Sequence, residues 1–198
     1  MGNVKSIVNM LKKIGVNSVL SRDRDEILQA EKLILPGVGA FDAAMVKLKE
    51  YDLIDLLNTK VIAQKTPILG ICLGMHIMSL SSEEGCLPGL GWLNATVRKF
   101  NFSAVPDNGT LRIPHMGWNS VHPHSSDNLF LNLDKALRFY FVHSYHIDCT
   151  ETDNILATTH YGYDFTCAIR KENIYAVQFH PEKSHRFGMQ LLKNFTEI

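Results

Sequence analysis

The stretch that decides the fold is Thr66-Pro67-Ile68-Leu69-Gly70-Ile71-Cys72-Leu73-Gly74-Met75. It opens with a proline and a short apolar run, as is typical of a buried parallel strand. Residues 75–78 continue without a helix breaker and are compatible with a helix. Between strand and helix lies Cys72, with a glycine two positions away on either side. This pattern predicts a sharp strand-to-helix turn, a nucleophile elbow with cysteine at its tip.

The elbow would place the sulfur of Cys72 at the N-terminus of a helix, where aligned backbone amides favour the thiolate. An ordinary thiol, with a pKa of about 8.5, is only slightly ionised at neutral pH, so this help matters to a nucleophile. Glycine is needed at Gly70 and Gly74 because larger side chains would collide at so sharp a turn. The alternative is a structural cysteine at the end of a buried strand, and this stretch alone leaves it open.

The composition is that of a globular protein, with 198 residues, 45% of them apolar and 20% charged. Its 20 basic and 20 acidic residues give a formal net charge of zero, which argues against a nucleic-acid or membrane-surface protein. No apolar run approaches the roughly 20 residues of a membrane span, and no secretory signal opens the sequence. The four cysteines show no metal or disulfide spacing. We expect one cytoplasmic domain, residues 1–198, without cofactor or metal.

The order of elements predicts an α/β fold. Helical and strand patterns alternate up to residue 80, which favours a doubly wound, flavodoxin-like sheet with a parallel core. Beyond residue 80 the strands are short and spaced as hairpins, which favours antiparallel pairing. The helices are predicted at 4–14, 25–29, 41–57 (as one or two helices), 75–80 and 187–195. The strands are predicted at 16–20, 32–35, 67–71, 93–100, 138–142, 145–147, 155–159, 166–169 and 174–179.

A glycine-rich loop, Pro36–Ala40, follows the strand at 32–35. Such a loop can present bare backbone N–H groups to an anion. Ligands of doubly wound sheets bind beyond the carboxyl ends of the strands, where both this loop and Cys72 would lie. The alternative is a tight strand-to-helix connection without a binding role.

A cysteine nucleophile needs a base and a group that orients the base. His180 follows an apolar strand and would lie at the same sheet edge as Cys72. Glu182 would point to the same side as His180 in extended chain, so its carboxylate could reach the ring. Pro181 biases His180 toward extended geometry. The alternative is a surface His-Pro-Glu turn.

The segment His122–His124 could suggest a metal, but no acidic or cysteine ligand lies at a useful spacing. We interpret it as a solvated loop. The segment His143–His146 offers several hydrogen-bond donors and is uninformative by itself.

Five segments together resemble the class I (triad-type) glutamine amidotransferases, over nearly the whole chain. The elbow and the His-Pro-Glu segment are shared by the broad class. The segments Pro114–Asn119 and Tyr140–Tyr145 are more specific and resemble the HisH family, the glutaminase subunits of imidazole glycerol phosphate synthase. In chain order the five are Pro36–Gly39, Gly70–Met75, Pro114–Asn119, Tyr140–Tyr145 and Gln178–Ser184.

This resemblance implies that Cys72 attacks the side-chain amide of glutamine to form a thioester, with His180 transferring the proton and Glu182 orienting His180. It also implies an oxyanion hole made by the backbone amide of Leu73 and by the Pro36–Gly39 loop, which would flip when the partner is loaded. The oxyanion-hole residues would be Val38, Gly39 and Leu73, and the glutamine-binding residues Gly37, Gly39, His76, His143, Ser144 and Tyr145.

The resemblance further implies that ammonia passes to a (β/α)8-barrel synthase subunit, HisF, within a heterodimer of histidine biosynthesis. The docking face would include Asn3, Trp118, Tyr140 and Lys183. Two alternatives stay open. One is a HisH-like paralogue that supplies a nucleotide-sugar amidotransferase of surface-polysaccharide synthesis, which the segment Ser184–Gln190 resembles. The other is a catalytically silent binding subunit.

The sequence departs from the family pattern in two places. His76 stands where the family usually has a glutamine that contacts the substrate, and imidazole differs from it in reach and charge. The family's first apolar strand, ahead of Gly2-Asn3, is missing. We expect the true start to lie upstream, since a sheet without that strand would keep an unpaired edge.

Overall fold

The computed structural model describes residues 4–106, 111–124, 126–133 and 136–198, so Asn3 lies outside the described residues. The helices are α1 Val4–Lys13, α2 Arg24–Gln29, α3 Phe41–Glu50, α4 Ile54–Asn58, α5 Leu73–Ile77 and α6 His185–Glu197. A π-helix, Thr59–Ala63, continues α4. The strands are β1 Leu33–Gly37, β2 Ile68–Cys72, β3 Ser81–Ser82, β4 Ala95–Lys99, β5 His115–Ser120, β6 His122–Pro123, β7 Arg138–His143, β8 Tyr145–Cys149, β9 Ile155–Tyr161, β10 Tyr163–Lys171 and β11 Ile174–Val177.

Most strands join one mixed sheet, in the order β1-β2-β11-β10-β8-β4-β3, with β9 pairing β10 and β6 pairing β9. Strands β1 and β11 run parallel to β2 on either side of it, whereas β10 is antiparallel to β11 and to β8. Strands β5 and β7 form a separate antiparallel pair. The predicted mixed sheet, with a parallel core and antiparallel C-terminal strands, is confirmed.

Helices cover both faces of the parallel core. Every residue of β2 is buried, as expected for a strand packed on two sides. Alternate side chains of a strand face opposite sides, and accordingly Leu69 and Ile71 belong to one apolar cluster while Ile68 belongs to another. The first cluster includes buried residues of α1 and α6, and the second includes those of α3 and α4.

Local signals in the sequence set two of the helix ends. Helix α1 stops before Gly15, whose φ of +83° is the left-handed conformation that ends helices. The Asp23 carboxylate caps α2 by accepting from the N–H groups of Asp25 and Glu26, at 3.0 and 3.1 Å.

The prediction of a strand at residues 16–20 is wrong. This segment is irregular, and Val19 and Leu20 are 77% and 66% exposed. A strand forms only where a neighbour satisfies its backbone groups, and among the described residues none pairs with this segment. Strand β1 likewise pairs with β2 alone within the described residues, and all five of its residues are only half-buried.

Other differences concern element ends. Strand β1 extends to Gly37, two residues further than predicted, because its last residues pair with β2. The stretch 41–57, predicted to form one or two helices, contains two, α3 and α4, which divide at Asp52, where φ is +52°. Residues 122–123, predicted to be loop, form the short exposed strand β6 beside β9. Within the described residues, no helix is both long and apolar enough to cross a membrane.

Candidate active site

The predicted elbow is present at the junction of β2 and α5. Cys72 has a φ of +54° and a ψ of −111°, a strained conformation for a residue with a side chain. Gly74 is needed there because a Cβ on it would lie 1.8 Å from the carbonyl oxygen of Leu35. A Cβ on Gly70 would lie 2.8 Å from Met78 Cε. The strand-to-helix turn therefore depends on Gly74, as the sequence predicted, whereas the contact at Gly70 is with the flexible end of a side chain.

Three parallel strands bring the predicted site to one edge of the sheet. Gly37 at the end of β1 pairs with Cys72 at the end of β2. On the other side of β2, Val177 of β11 pairs with Ile71. The residues that follow this pair, Gln178 and Cys72, are therefore neighbours. The chain reaches His180 two residues after Gln178. The loop after Gly37 includes Gly39, whose φ of +104° favours glycine.

His180 and Glu182 form a buried pair. His180 Nδ1–H donates to Glu182 Oε1 at 2.8 Å, and the two side chains are 3% and 5% exposed. His180 has the extended backbone predicted beside a proline. Residues Pro181–Lys183, however, form a 3₁₀ turn. This turn, and not the extended chain that the sequence suggested, brings the carboxylate to the ring.

The free ring nitrogen of His180 is available for proton transfer. Burial by itself would lower the pKa of His180, but the sulfur of Cys72 and the carboxylate of Glu182 outweigh it and raise this pKa from 6.5 to about 9. His180 Nε2 and Glu182 Oε2 are buried and meet no hydrogen-bond partner among the described residues. Buried polar atoms left unpaired are uncommon and often mark a functional site.

Gln178 is a site residue that the sequence reasoning missed. Its side chain is fully buried, and its Oε1 lies 2.7 Å from His76 Nε2. Its Nε2 donates to Cys72 Sγ at 3.8 Å. The available signal was one polar residue within the apolar run 174–179.

His143 belongs to a buried histidine chain that the sequence did not reveal. His143 Nδ1–H donates to the carbonyl oxygen of Tyr145 at 2.7 Å, so its Nε2 accepts from His115 Nδ1–H at 2.9 Å. His115 Nε2 then accepts from Asn119 Nδ2 at 3.2 Å. Burial lowers the pKa of His115 to about 4, and burial together with neighbouring imidazoles, His76 among them, lowers that of His143 well below 6.5. These histidines are neutral at physiological pH.

A cavity of about 690 Å³ opens beside the pair. It is lined by the 37–40 loop, Leu73, His180 and Glu182, together with apolar side chains of α1 and α3. Of the predicted glutamine-binding residues, Gly37 and Gly39 line it, whereas His76 and residues 143–145 do not. A second cavity of about 650 Å³, near Trp92 and Ile174, contains no predicted site residue. Among the described residues, no group of three potential metal ligands occurs.

Of the predicted docking residues, Trp118, Tyr140 and Lys183 lie together near the site. Trp118 of β5 pairs with Tyr140 of β7, and their rings meet edge to face at 6.3 Å. Lys183 Nζ lies 5.5 Å from the centre of the Tyr140 ring, and His185 stacks on Trp118 at 5.6 Å. The carbonyl oxygen of Tyr140 accepts the N–H of His180 at 2.9 Å. This surface is therefore bonded directly to the segment that carries His180.

Comparison with known proteins agrees with this architecture. The family model for class I glutamine amidotransferases matches residues 1–198. A Methanococcus maripaludis protein named imidazole glycerol phosphate synthase subunit HisH 2 is 55% identical, over 98% of this chain and 94% of that protein. A second protein of that organism, named HisH 1, is 43% identical, over 100% and 95%. The HisH subunit of Bdellovibrio bacteriovorus is 48% identical, over 100% and 96%.

Among solved structures, a glutamine amidotransferase has a TM-score of 0.72 at 19% identity, over 99% of this chain and 93% of that one. At this identity the likeness concerns the fold. The family model and the relatives together give the finer placement: the chain belongs to the class I glutamine amidotransferase family and, within it, to the group of imidazole glycerol phosphate synthase HisH subunits.

Proposed function

We propose that this chain is the glutaminase subunit of an imidazole glycerol phosphate synthase. It would hydrolyse glutamine to glutamate and ammonia, and deliver the ammonia to a HisF-type (β/α)8 synthase subunit in histidine biosynthesis. The observation that carries the proposal is the meeting of Cys72, on its strained turn, with the buried His180–Glu182 pair at one sheet edge. The HisH names of relatives up to 55% identical support the choice of acceptor.

In the first half-reaction, His180 Nε2 takes the thiol proton of Cys72, and the sulfur attacks the side-chain carbonyl carbon of glutamine. The backbone N–H groups of Leu73 and of Val38 or Gly39 stabilise the resulting oxyanion. The tetrahedral intermediate then expels ammonia, which takes its proton from the His180 imidazolium. A γ-glutamyl thioester remains on Cys72. The raised pKa of His180 favours the imidazolium that accompanies a thiolate.

In the second half-reaction, water replaces ammonia. His180 accepts a proton from the water as the water oxygen attacks the thioester carbon. Collapse of this intermediate breaks the C–S bond, returns the proton to sulfur and releases glutamate. Glu182 holds the Nδ1–H tautomer of His180 through both steps, since its oxygen accepts that proton's hydrogen bond at 2.8 Å.

Glutamine would be held beside Cys72 by the loop after β1 and by the segment between β7 and β8. The proposed contacts are Gly37, Gly39, His143, Ser144 and Tyr145, whereas His76, which is bonded to Gln178, is not among them. Gly37 is fixed by its pairing with Cys72, so Gly39, with its left-handed φ, is the freer of the two loop glycines. A peptide flip in this loop is a suitable response to partner binding.

The partner would dock on the surface formed by Trp118, Tyr140 and Lys183, with Asn3 as a further predicted contact. Half-exposed aromatic side chains beside a cation are typical of interface anchors. Ser184 Oγ donates to the carbonyl oxygen of His180 at 2.6 Å and accepts from the N–H of Tyr140 at 3.0 Å. These bonds would couple docking to the position of His180.

Substitution of the nucleophile tests the mechanism. In Cys72→Ser, glutamate release in the presence of the synthase partner should fall by about 10³-fold or more, because the hydroxyl is a much poorer nucleophile with this base. Co-purification with the partner should be unchanged. The exposed Cys86 gives the control: Cys86→Ser should keep full activity. Glutaminase activity in Cys72→Ser would contradict the proposal. Absence of glutaminase activity from the folded wild-type complex would favour a catalytically silent binding subunit.

A second candidate keeps the glutaminase and changes the acceptor to a nucleotide-sugar amidotransferase. It is favoured by the segment Ser184–Gln190, which resembles the HisH-like paralogues of surface-polysaccharide synthesis. Incubation with each purified synthase type decides between them, since only the true acceptor should form a complex and stimulate glutamate release.

A further inference from the structure

We infer that His76 is a positioning residue that acts on Cys72 through Gln178. Its Nε2–H holds the carboxamide of Gln178 so that the amide N–H group faces the sulfur. The inference rests on the proposed role of Cys72 as nucleophile. It assigns tasks to two buried polar side chains that the proton-transfer scheme does not use.

The contacts form an unbroken chain from the helix to the sulfur. His76 Nε2 lies 2.7 Å from Gln178 Oε1, and Gln178 Nε2 lies 3.8 Å from Cys72 Sγ. His76 is 4% exposed and Gln178 fully buried, so the carboxamide has no solvent with which to exchange these partners. The backbone of Gln178 is also fixed, because its N–H donates to the carbonyl oxygen of Cys167 at 2.9 Å. With the backbone of Gln178 fixed, only its side-chain torsions can change the direction of the carboxamide.

The chemistry of the two side chains determines the direction of the bond. A carboxamide oxygen only accepts, so the short contact places the hydrogen on His76 Nε2. Burial lowers the pKa of His76 to about 4, so at neutral pH the ring carries one N–H. The reversed carboxamide would turn its oxygen toward a sulfur that must become an anion, which is electrostatically unfavourable. The neutral Nε2–H tautomer therefore selects the productive orientation of Gln178.

The consequence for Cys72 is a donor aimed at the thiolate. A hydrogen bond to the charged form of a group lowers its pKa. At 3.8 Å from nitrogen to sulfur the bond is long, so the expected effect on the thiol is modest. Without His76, the carboxamide would rotate among several torsions and lose this orientation.

The test measures the alkylation of Cys72 by iodoacetamide as a function of pH, read by mass spectrometry of the Cys72 peptide in the full chain. The reaction reports the thiolate. In His76→Leu, the midpoint pH of alkylation should rise by about half to one pH unit. Gln178→Met should give the same shift, and the double variant no larger shift than either single one, because both changes break one chain. His76→Gln should restore the midpoint, since its amide can donate to Gln178 Oε1.

A matched control is His146→Leu, which removes a half-buried histidine that is bonded to Tyr163 and not to Gln178. It should leave the alkylation midpoint unchanged even if it lowers the melting temperature. In glutaminase assays with the partner, His76→Leu should lower kcat with little change in KM. Alkylation of Cys72 requires no glutamine. Failure of the proposed glutaminase function and failure of this inference can therefore be distinguished.

Three results would overturn the inference. One is an unchanged midpoint in folded His76→Leu. Another is a full additional shift when His76→Leu is combined with Gln178→Met, which would mean that His76 acts on the sulfur by another route. A third is a higher KM alone, which would make His76 a direct glutamine contact. If His76→Leu fails to fold, Gln178→Glu decides: a carboxylate beside the sulfur should raise the midpoint by more than about one pH unit, and no shift refutes the chain.

Discussion

At the scale of single residues, the site contains buried histidines of two opposite kinds. The pKa of His180 is raised to about 9, because Cys72 and Glu182 outweigh the effect of burial. Burial lowers the pKa of His76 and of His115 to about 4. One histidine is therefore charged and at least two are neutral at the same pH. This division follows from their partners, since His76 meets a carboxamide and His115 another imidazole.

These opposite pKa shifts predict that the free energy of unfolding is greatest near pH 6.5, the ordinary histidine pKa. For His180, the folded pKa lies above the unfolded one, so its contribution is complete below about pH 6.5 and is lost as pH rises through about 9. For His76 and His115, the contribution is complete above about pH 6.5 and is lost as pH falls toward about 4. The acid loss from His76 alone is about 3 kcal/mol. Urea unfolding across this pH range measures it.

The matched variant for this prediction is His115→Gln. Its free energy of unfolding should fall less steeply between about pH 6.5 and 4 than that of the wild type, because one suppressed protonation is gone. Identical slopes for the two proteins would contradict the proposed neutrality of His115.

The residues of the site were predictable to different degrees. Cys72, His180 and Glu182 lie in short sequence motifs from which their local geometry can be predicted, and the structure brings them together. Gln178 and His115 depend on contacts between segments far apart in the chain, such as the bond from His76 to Gln178. No local pattern records such a contact. His76 itself was noticed as an unusual residue, but its partner was not foreseen.

At the scale of elements, the turn from β2 into α5 is held by the fit of α5 against β1. Gly74 lies so close to the carbonyl of Leu35 that no side chain fits between them. Both atoms belong to backbone, so neither can move aside without displacing a whole element.

Gly74→Ala should therefore destabilise the protein by about 3 kcal/mol or more, since the added methyl overlaps fixed backbone. Gly15→Ala provides the comparison. Gly15 also has a positive φ, but a Cβ there meets nothing within 4 Å, so only the backbone penalty of about 1–2 kcal/mol applies. Thermal unfolding of the two variants separates overlap from backbone strain. Equal losses would show that β1 adapts to the methyl.

Element boundaries were less predictable than the elements themselves. Nothing in the pattern of residues 16–20 warns that a strand is absent there, because apolar periodicity describes a face and not a neighbour. The 3₁₀ turn at Pro181–Lys183 was also missed, although it brings Glu182 to His180. In both cases the outcome depends on what lies alongside the segment.

At the scale of the whole molecule, the candidate catalytic edge and the proposed docking surface adjoin. Tyr140 belongs to the proposed docking surface, and its backbone bonds to both His180 and Ser184. A partner seated on this surface would press on the segment that carries the proposed base. The mixed α/β sheet was predictable from the alternation of patterns, whereas this adjacency was not, because β5 and β7 form a pair outside the main sheet.

Trp118→Ala should weaken binding to the synthase partner by about 10- to 100-fold, as expected for a half-exposed aromatic anchor. Glutaminase activity of the isolated chain and its melting temperature should change little, because Trp118 is 38% exposed and lies outside the two apolar clusters. The control is Ile62→Ala, which removes an exposed apolar side chain from the π-helix. This helix precedes β2, at the end of the strand opposite to Cys72, so the change should not affect partner binding. Equal affinities of the wild type and Trp118→Ala for the partner, measured by titration calorimetry, would contradict the assignment of this surface.

Strand β11 is the last in the chain, yet it occupies the middle of the sheet, between β2 and β10. A polypeptide still emerging from the ribosome lacks this strand and the imidazole just beyond it. During translation, the thiol of Cys72 has no base beside it and the sheet remains divided. Chains that have not yet been extended past His180 should therefore release no free ammonia from glutamine.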